Sequence, residues 1–201
     1  MQTTHGGPAT LSSDSKRAAR QLYRDRRQAF VASLSPAARE ASDRQLATMA
    51  TPLLTRPEAA LPVASYASIG DEIDPQFVER LFAAHGFPRI TGRDLSFHLA
   101  DWKDLVPGPL GIPQPAPTAP IFTPRLLLVP LIAATLEGVR LGQGGGYYDR
   151  TLARLRTLGP VVAVGLAWEC QIAELLPHEP HDQRLDWIAT PQRLVDCAAN
   201  R

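Results

Sequence analysis

The chain has 201 residues, 44% of them hydrophobic and 20% charged, enough for one full-sized domain or two small ones that bury a core without a metal or disulfide staple. Lys+Arg 21 against Asp+Glu 20 gives a formal net charge of +1, which excludes a polyelectrolyte built to coat nucleic acid or membrane and leaves only local basic patches. Two cysteines, Cys170 and Cys197, make neither a disulfide scaffold nor a zinc cluster, and no apolar run reaches the roughly 18 residues of a spanning helix; the expectation is a cytoplasmic protein with buried thiols and no nucleic-acid or membrane partner.

Residues 1–12, MQTTHGGPATLS, are small and polar and read as a disordered leader ahead of a domain over 13–201. A helix is expected over 13–34, with Ser13 or Asp14 as N-cap. Ser35 followed by Pro36 restarts a second helix, ending near Pro52, so that the two form a hairpin. Residues 61–67 read as a short buried strand and 68–74 as a loop. Asp74 and Pro75 then open a helix that Gly86 closes. Residues 87–91 and 95–100 read as short strands. The proline-rich stretch 107–120 carries too many ring constraints for a helix or central strand, and reads either as an inter-domain linker or as an ordered extended loop.

Residues 125–133, RLLLVPLIA, are continuously apolar, as expected of a strand covered on both faces. Residues 140–159 are a glycine-rich loop running into a helix that stops at Gly159, and 160–167 form a second continuous apolar strand. Residues 168–177 read as a short helix and 178–189 as a loop and short strand, with Thr190 and Pro191 capping a last short helix. Strands alternating with helices argue for an α/β domain with a largely parallel central sheet.

The residues that carry chemistry centre on Gly142-Gln143-Gly144-Gly145-Gly146 at a strand-to-helix junction. Four glycines in five positions imply positive φ or close approach to a ligand, and backbone N–H groups at a helix N-terminus suit a phosphate. The spacing fits neither a P-loop nor the dinucleotide fingerprint, and a glycine turn packed against the sheet is the plainer alternative. Tyr147, Tyr148, Asp149 and Arg150 follow in the first turn. Asp149 beside an anion site is repulsive unless a cation lies between, which suggests a Mg²⁺ ligand; otherwise it is a helix N-terminal charge paired with Arg150 or Arg140. Asp182 is a candidate second carboxylate for the same ion, in a loop whose His178, His181 and Asp186 also offer a weak zinc alternative. Glu72 lies beyond the end of a strand, where open α/β sheets gather ligands, or is a surface acid. Lys16, Arg20, Arg24 and Arg27 share one helical face that clamps a polyanion or is merely solvated.

With RLGQGGGYYDR (140–150), KRAAR (16–20), SYASIGDEID (65–74), LVPGPLGIPQP (105–115), LLLVPLIA (126–133), VGLAWECQ (164–171) and EPHDQRLDWIATP (179–191) in this order, the chain resembles the 5-formyltetrahydrofolate cyclo-ligase family. The resemblance implies a single three-layer α/β/α domain with the proline-rich stretch as an internal loop. It implies an enzyme that uses ATP and Mg²⁺ to convert 5-formyltetrahydrofolate into 5,10-methenyltetrahydrofolate, releasing ADP and phosphate. Its residues carried over by motif are Lys16, Arg17, Ala18, Ala19 and Arg20 for ATP, with Arg140, Leu141, Gly142, Gln143, Gly144, Gly145, Gly146, Tyr147 and Tyr148 cradling the phosphates. Ala67 and Glu72, with Gln143 to Tyr147, border the folate; Asp149 and Asp182 hold Mg²⁺; Lys16, Arg20 and Tyr147 stand closest to the chemistry. Gln143 stands where the family often has Tyr or Arg, and Ala67 where Leu is common. A monomer acting on two small molecules is expected. The competing readings are a phospho-sugar isomerase of similar layered fold and a non-catalytic folate- or nucleotide-binding relative.

Overall fold

Residues 13–200 are described by the computed structural model; the leader expected over 1–12 lies outside them. The two continuous apolar runs supply the middle of the main sheet, β5 (Leu126–Pro130) and β8 (Val162–Leu166), paired in parallel. Around them stand β1 (Val63–Ala64), β2 (His85–Thr91), β3 (Asp94–Leu99), β4 (Ile121–Phe122), β10 (Trp187–Ala189) and β11 (Leu194–Asp196), in the order β11-β10-β8-β5-β1-β2-β3-β4. The five central strands, β10 to β2, are parallel, and antiparallel strands finish both edges. A second, three-stranded sheet joins β6 (Ala133–Thr135), β7 (Arg140–Leu141) and β9 (Ile172–Ala173) in the order β7-β6-β9.

Side chains alternate across β5, and this makes the layers. Leu126 and Leu128 face a core shared with Leu46, Ala50 and Leu53, on or just after α2 (Pro36–Ala50). Leu127 and Val129 face the opposite core, shared with Leu152 and Leu155 of α4 (Tyr147–Thr157). α1 (Ser13–Ala32) lays Tyr23 and Ala19 on the small sheet, against Ile132, Leu141 and Leu176. The α1–α2 hairpin breaks where expected: the Ser35 hydroxyl accepts from the Ala38 N–H, with Pro36 at the first helical position. No helix of the described residues is long and apolar enough to cross a membrane.

Five expectations need correction. The helix from Pro75 is only α3 (Gln76–Glu79), and Gly86 lies inside β2 rather than at a helix end. A Cβ there would sit 2.3 Å from the His98 carbonyl oxygen, so this glycine serves strand packing. The apolar run 125–133 is two strands, because the Leu131 and Ile132 carbonyls turn aside to accept from the Gln171 amide. The buried strand expected over 61–67 is ladder-paired only at Val63–Ala64. The helix over 168–177 is one 3-10 turn, Glu169–Gln171, followed by β9. Thr190 opens a hairpin, its N–H and that of Arg193 exchanged with each other's carbonyls, so β11 stands where a last helix was expected. The proline-rich stretch is an ordered loop, pinned by a Val106–Gln114 bridge and by Gln114 Oε1 accepting from the Ile90 N–H.

Candidate active site

Parallel strands leave their carboxyl ends unpaired on one side, and ligands collect there. In this chain that edge opens into a cleft of about 480 Å³. Tyr66 and Ala67 follow β1, and Pro130 and Leu131 end β5 at its floor. Lys16 and Arg20 reach it from α1, and residues 140–149 form one wall. Leu110, Ile112 and Gln114 of the proline-rich loop, with Ile90 and Leu95 of the β2–β3 hairpin, form an apolar wall opposite.

The glycine loop bends as its composition requires. Gly144 and Gly146 hold positive φ, of 104° and 65°, and Gly146 leads directly into α4. The Arg20 Nε donates to the Gly142 carbonyl over 2.9 Å, and its guanidinium crosses Gly144 at a distance of 3.4 Å from where a Cβ would stand. Arg20, the glycine loop and the first residues of α4 therefore line the cleft together.

Lys16 is nearly buried between two acids, its Nζ 2.6 Å from Glu179 Oε2 and 2.7 Å from Asp182 Oδ2. Burial by itself would lower its pKa, but hydrogen bonds and charge from Asp182 and Glu179 raise it. Burial likewise works against ionised Asp182, yet Lys16 and the Glu179 N–H hold its carboxyl below the ordinary range. Ligand atoms of Glu179, His181 and Asp182 lie within 4.8 Å of one another, a set that omits Asp149. His178 and Asp186, weighed for zinc, do not join it: His178 contacts the Leu176 carbonyl, and Asp186 pairs with Arg156.

Asp149 Oδ1 accepts from Arg140 Nη2 over 2.7 Å and from the Gln183 N–H over 3.1 Å. The Arg140 Nε and the Tyr148 hydroxyl are buried and lack a protein partner. Burial also pushes the Tyr148 phenol well up, so it remains a donor. Glu72, beside Gln143 of the glycine loop, is 7% exposed. Burial raises its pKa, countered by the Ile69 N–H, the Arg27 charge and Gln143.

Not every anticipated residue reaches the cleft. Arg17 is exposed and pairs with Asp14, Ala18 is exposed, and Ala19 packs into the core beneath α1. Arg27 is buried against Asp71 and the Leu131 carbonyl. Sequence reasoning missed Glu179 as a Lys16 partner and missed the apolar wall. The wall's signal was present in Leu110 and Ile112, apolar side chains set between prolines of a surface loop.

A model of the 5-formyltetrahydrofolate cyclo-ligase family matches residues 12–191. The chain belongs to that family. The 5-formyltetrahydrofolate cyclo-ligase of Escherichia coli (strain K12) is 31% identical over 187 residues, covering 86% of this chain and 98% of its own. The solution structure of Aquifex aeolicus 5,10-methenyltetrahydrofolate synthetase matches with a TM-score of 0.70 at 26% identity, over 90% of this chain and 92% of that one. A 5,10-methenyltetrahydrofolate synthetase from Mycoplasma pneumoniae shares the fold, with a TM-score of 0.66 at 22% identity over 88% and 98%. The cyclo-ligase family is one of enzymes, and this chain is a member of it; the isomerase and the non-catalytic relative are set aside.

Proposed function

We propose that the protein closes 5-formyltetrahydrofolate to 5,10-methenyltetrahydrofolate, consuming ATP with Mg²⁺ and releasing ADP and phosphate. The observation that carries this reading is a single cleft with two unlike walls. One wall is donor-rich, with the glycine loop, Lys16 and Arg20. The other is apolar, built by Ile90, Leu95, Leu110 and Ile112, and the buried Glu72 carboxylate stands beside the loop at Gln143. A triphosphate suits the first wall and a pterin the second.

A formamide oxygen is a poor leaving group and N10 of the folate a weak nucleophile. Moving the γ-phosphoryl group onto the formyl oxygen makes that oxygen leave as phosphate. N10 then attacks the same carbon, closes the five-membered ring and gives up its proton. Such a transfer needs positioning and charge neutralisation more than covalent help. Loop N–H groups of residues 142–146 hold the phosphates, and Lys16 and Arg20 balance their charge. Ala67 and Tyr147 flank the folate, while Glu72 orients the pterin. The oxygen donors of Asp149 and Asp182 border the same cleft and fit a hard divalent cation, with Glu179 and His181 beside Asp182. Bound there, Mg²⁺ would supply charge neutralisation on the phosphates. The reading includes a monomer working in the cytoplasm.

The test is absorbance growth at the methenyl-folate band after 5-formyltetrahydrofolate is added, with and without ATP. Growth that needs both ATP and Mg²⁺ is expected. Growth indifferent to ATP, or none with every component present, overturns the reading.

A further inference from the structure

Gln143 is held from two sides. Arg24 Nη2 donates to its Oε1 over 2.7 Å, and its Nε2 lies 3.5 Å from Glu72 Oε1. A guanidinium only donates and an ionised carboxylate only accepts, so a carboxamide between them has one satisfying orientation. Reversed, it would set N–H against N–H and oxygen against oxygen. The clasp is tight at Arg24 and loose at Glu72, since 3.5 Å is the outer limit of a hydrogen bond. It ties α1, the glycine loop and the segment after β1 together at the cleft. Arg24 itself is not among the residues lining that cleft.

The backbone under Glu72 is already fixed. Arg39 Nη2 donates to the Gly70 and Glu72 carbonyls, Arg27 Nη2 holds Asp71, and Trp168 Nε1 donates to the Asp71 carbonyl. The Ile69 N–H reaches Glu72 Oε2. One carboxylate oxygen is thereby pinned by its own loop. The other, Oε1, takes its donor from Gln143, whose direction Arg24 sets.

Resting on the reaction proposed above, we infer that Arg24 is a positioning residue that acts through Gln143 to present an N–H donor to Glu72 and so governs how tightly the folate substrate is held. Gln143 is the one side chain of the glycine loop that can bridge α1 to Glu72.

Steady-state kinetics of Arg24→Ala, Arg24→Lys, Gln143→Ala and the Arg24→Ala/Gln143→Ala pair test it. Loss of this solvent-exposed hydrogen bond, counted as an ordinary one, predicts a folate KM raised about five-fold in Arg24→Ala, with kcat and the ATP KM changed less than about two-fold. Arg24→Lys, still a donor only, restores most of the folate KM. In the Gln143→Ala background Arg24→Ala adds almost nothing. An unchanged folate KM, an equal rise in the ATP KM, or the full effect without Gln143 would overturn the inference. A second readout needs no turnover. In ligand-free protein the Gln143 side-chain amide pair, assigned by its loss in Gln143→Ala, shifts in the ¹H–¹⁵N spectrum on Arg24→Ala and on Glu72→Gln. A pair that stays in place in both variants overturns the clasp. A wild-type protein without turnover defeats the proposed reaction only, and the amide pair then decides the clasp alone.

Discussion

Asp149 is read in two ways by its sequence position. Its sequence position allowed either a cation ligand or a partner for Arg140, and the structure pairs it with Arg140, whose side chain is 4% exposed. Losing the charge leaves a nearly buried guanidinium without a counter-ion, which costs about 3 kcal/mol. Asp149→Asn is therefore expected to lose most Mg²⁺-dependent turnover and to melt several degrees lower. Asp182→Asn is expected to lose turnover and to melt lower by less than Asp149→Asn, because Lys16 retains Glu179. Mg²⁺ titrations of turnover beside thermal unfolding of both variants check this. Equal melting temperatures would mean that Arg140 does not depend on Asp149. The Asp149–Arg140 pair was legible because nine residues and one turn separate its members. The Lys16–Glu179 pair was not, since 163 residues lie between them and only the packing of α1 onto the 179–182 loop brings them together.

Among the elements, those whose stability is local were legible. Ser35 and Pro36 start α2, and the glycine loop starts α4. β5 and β8 are apolar on both faces. The failures are segments whose partners lie elsewhere. Residues 168–177 have helix-forming composition, yet the Gln171 amide is spent on the Leu131 and Ile132 carbonyls, so the chain leaves the helical path after one turn. Gly86 looks like a helix terminator but serves the packing of β2 beside β3 and β4, where a Cβ would also meet Phe122 Cε1 at 2.5 Å. Gly86→Ala forces backbone or ring to move, and overpacking of this kind costs about 1–3 kcal/mol. Gly92, at the tip of the same hairpin, holds φ of 62° with nothing within 4 Å of its Cβ position. Gly92→Ala thus incurs only the left-handed strain, about 1 kcal/mol. Urea midpoints are expected to fall further for Gly86→Ala than for Gly92→Ala. The reverse order would mean that the β2–β3 pairing yields more easily than its turn.

For the molecule as a whole, near-neutral net charge conceals carboxyls that the fold keeps from ionising freely. Burial raises the pKa of Glu72, of Glu79 and of Asp43, the last to about 6 from an ordinary 3.8. Asp43 lies on α2 where the hairpin meets α3. Burial acts first and the nearby Asp74 charge second; Glu40 adds to both, while Arg39 and the Asp74 N–H oppose them. Its Oδ1 is buried without a partner. A carboxyl with a raised folded pKa binds its proton more tightly folded than unfolded. Its contribution is fully present below about pH 4 and is lost as pH climbs through about 6. At one pKa unit per 1.36 kcal/mol, ionising Asp43 costs the fold about 3 kcal/mol by pH 8. Asp43→Asn has nearly the same shape, keeps an acceptor for the Asp74 N–H and turns a carboxamide N–H donor toward the Asp74 carboxylate. It is therefore expected to raise the urea midpoint at pH 8, less so at pH 6, and hardly at all at pH 4. Comparing the variant with wild type at each pH cancels the opposite contribution of Asp182, whose pKa is lowered. A gain of equal size at all three pH values would assign the effect to the new hydrogen bond instead of to the charge.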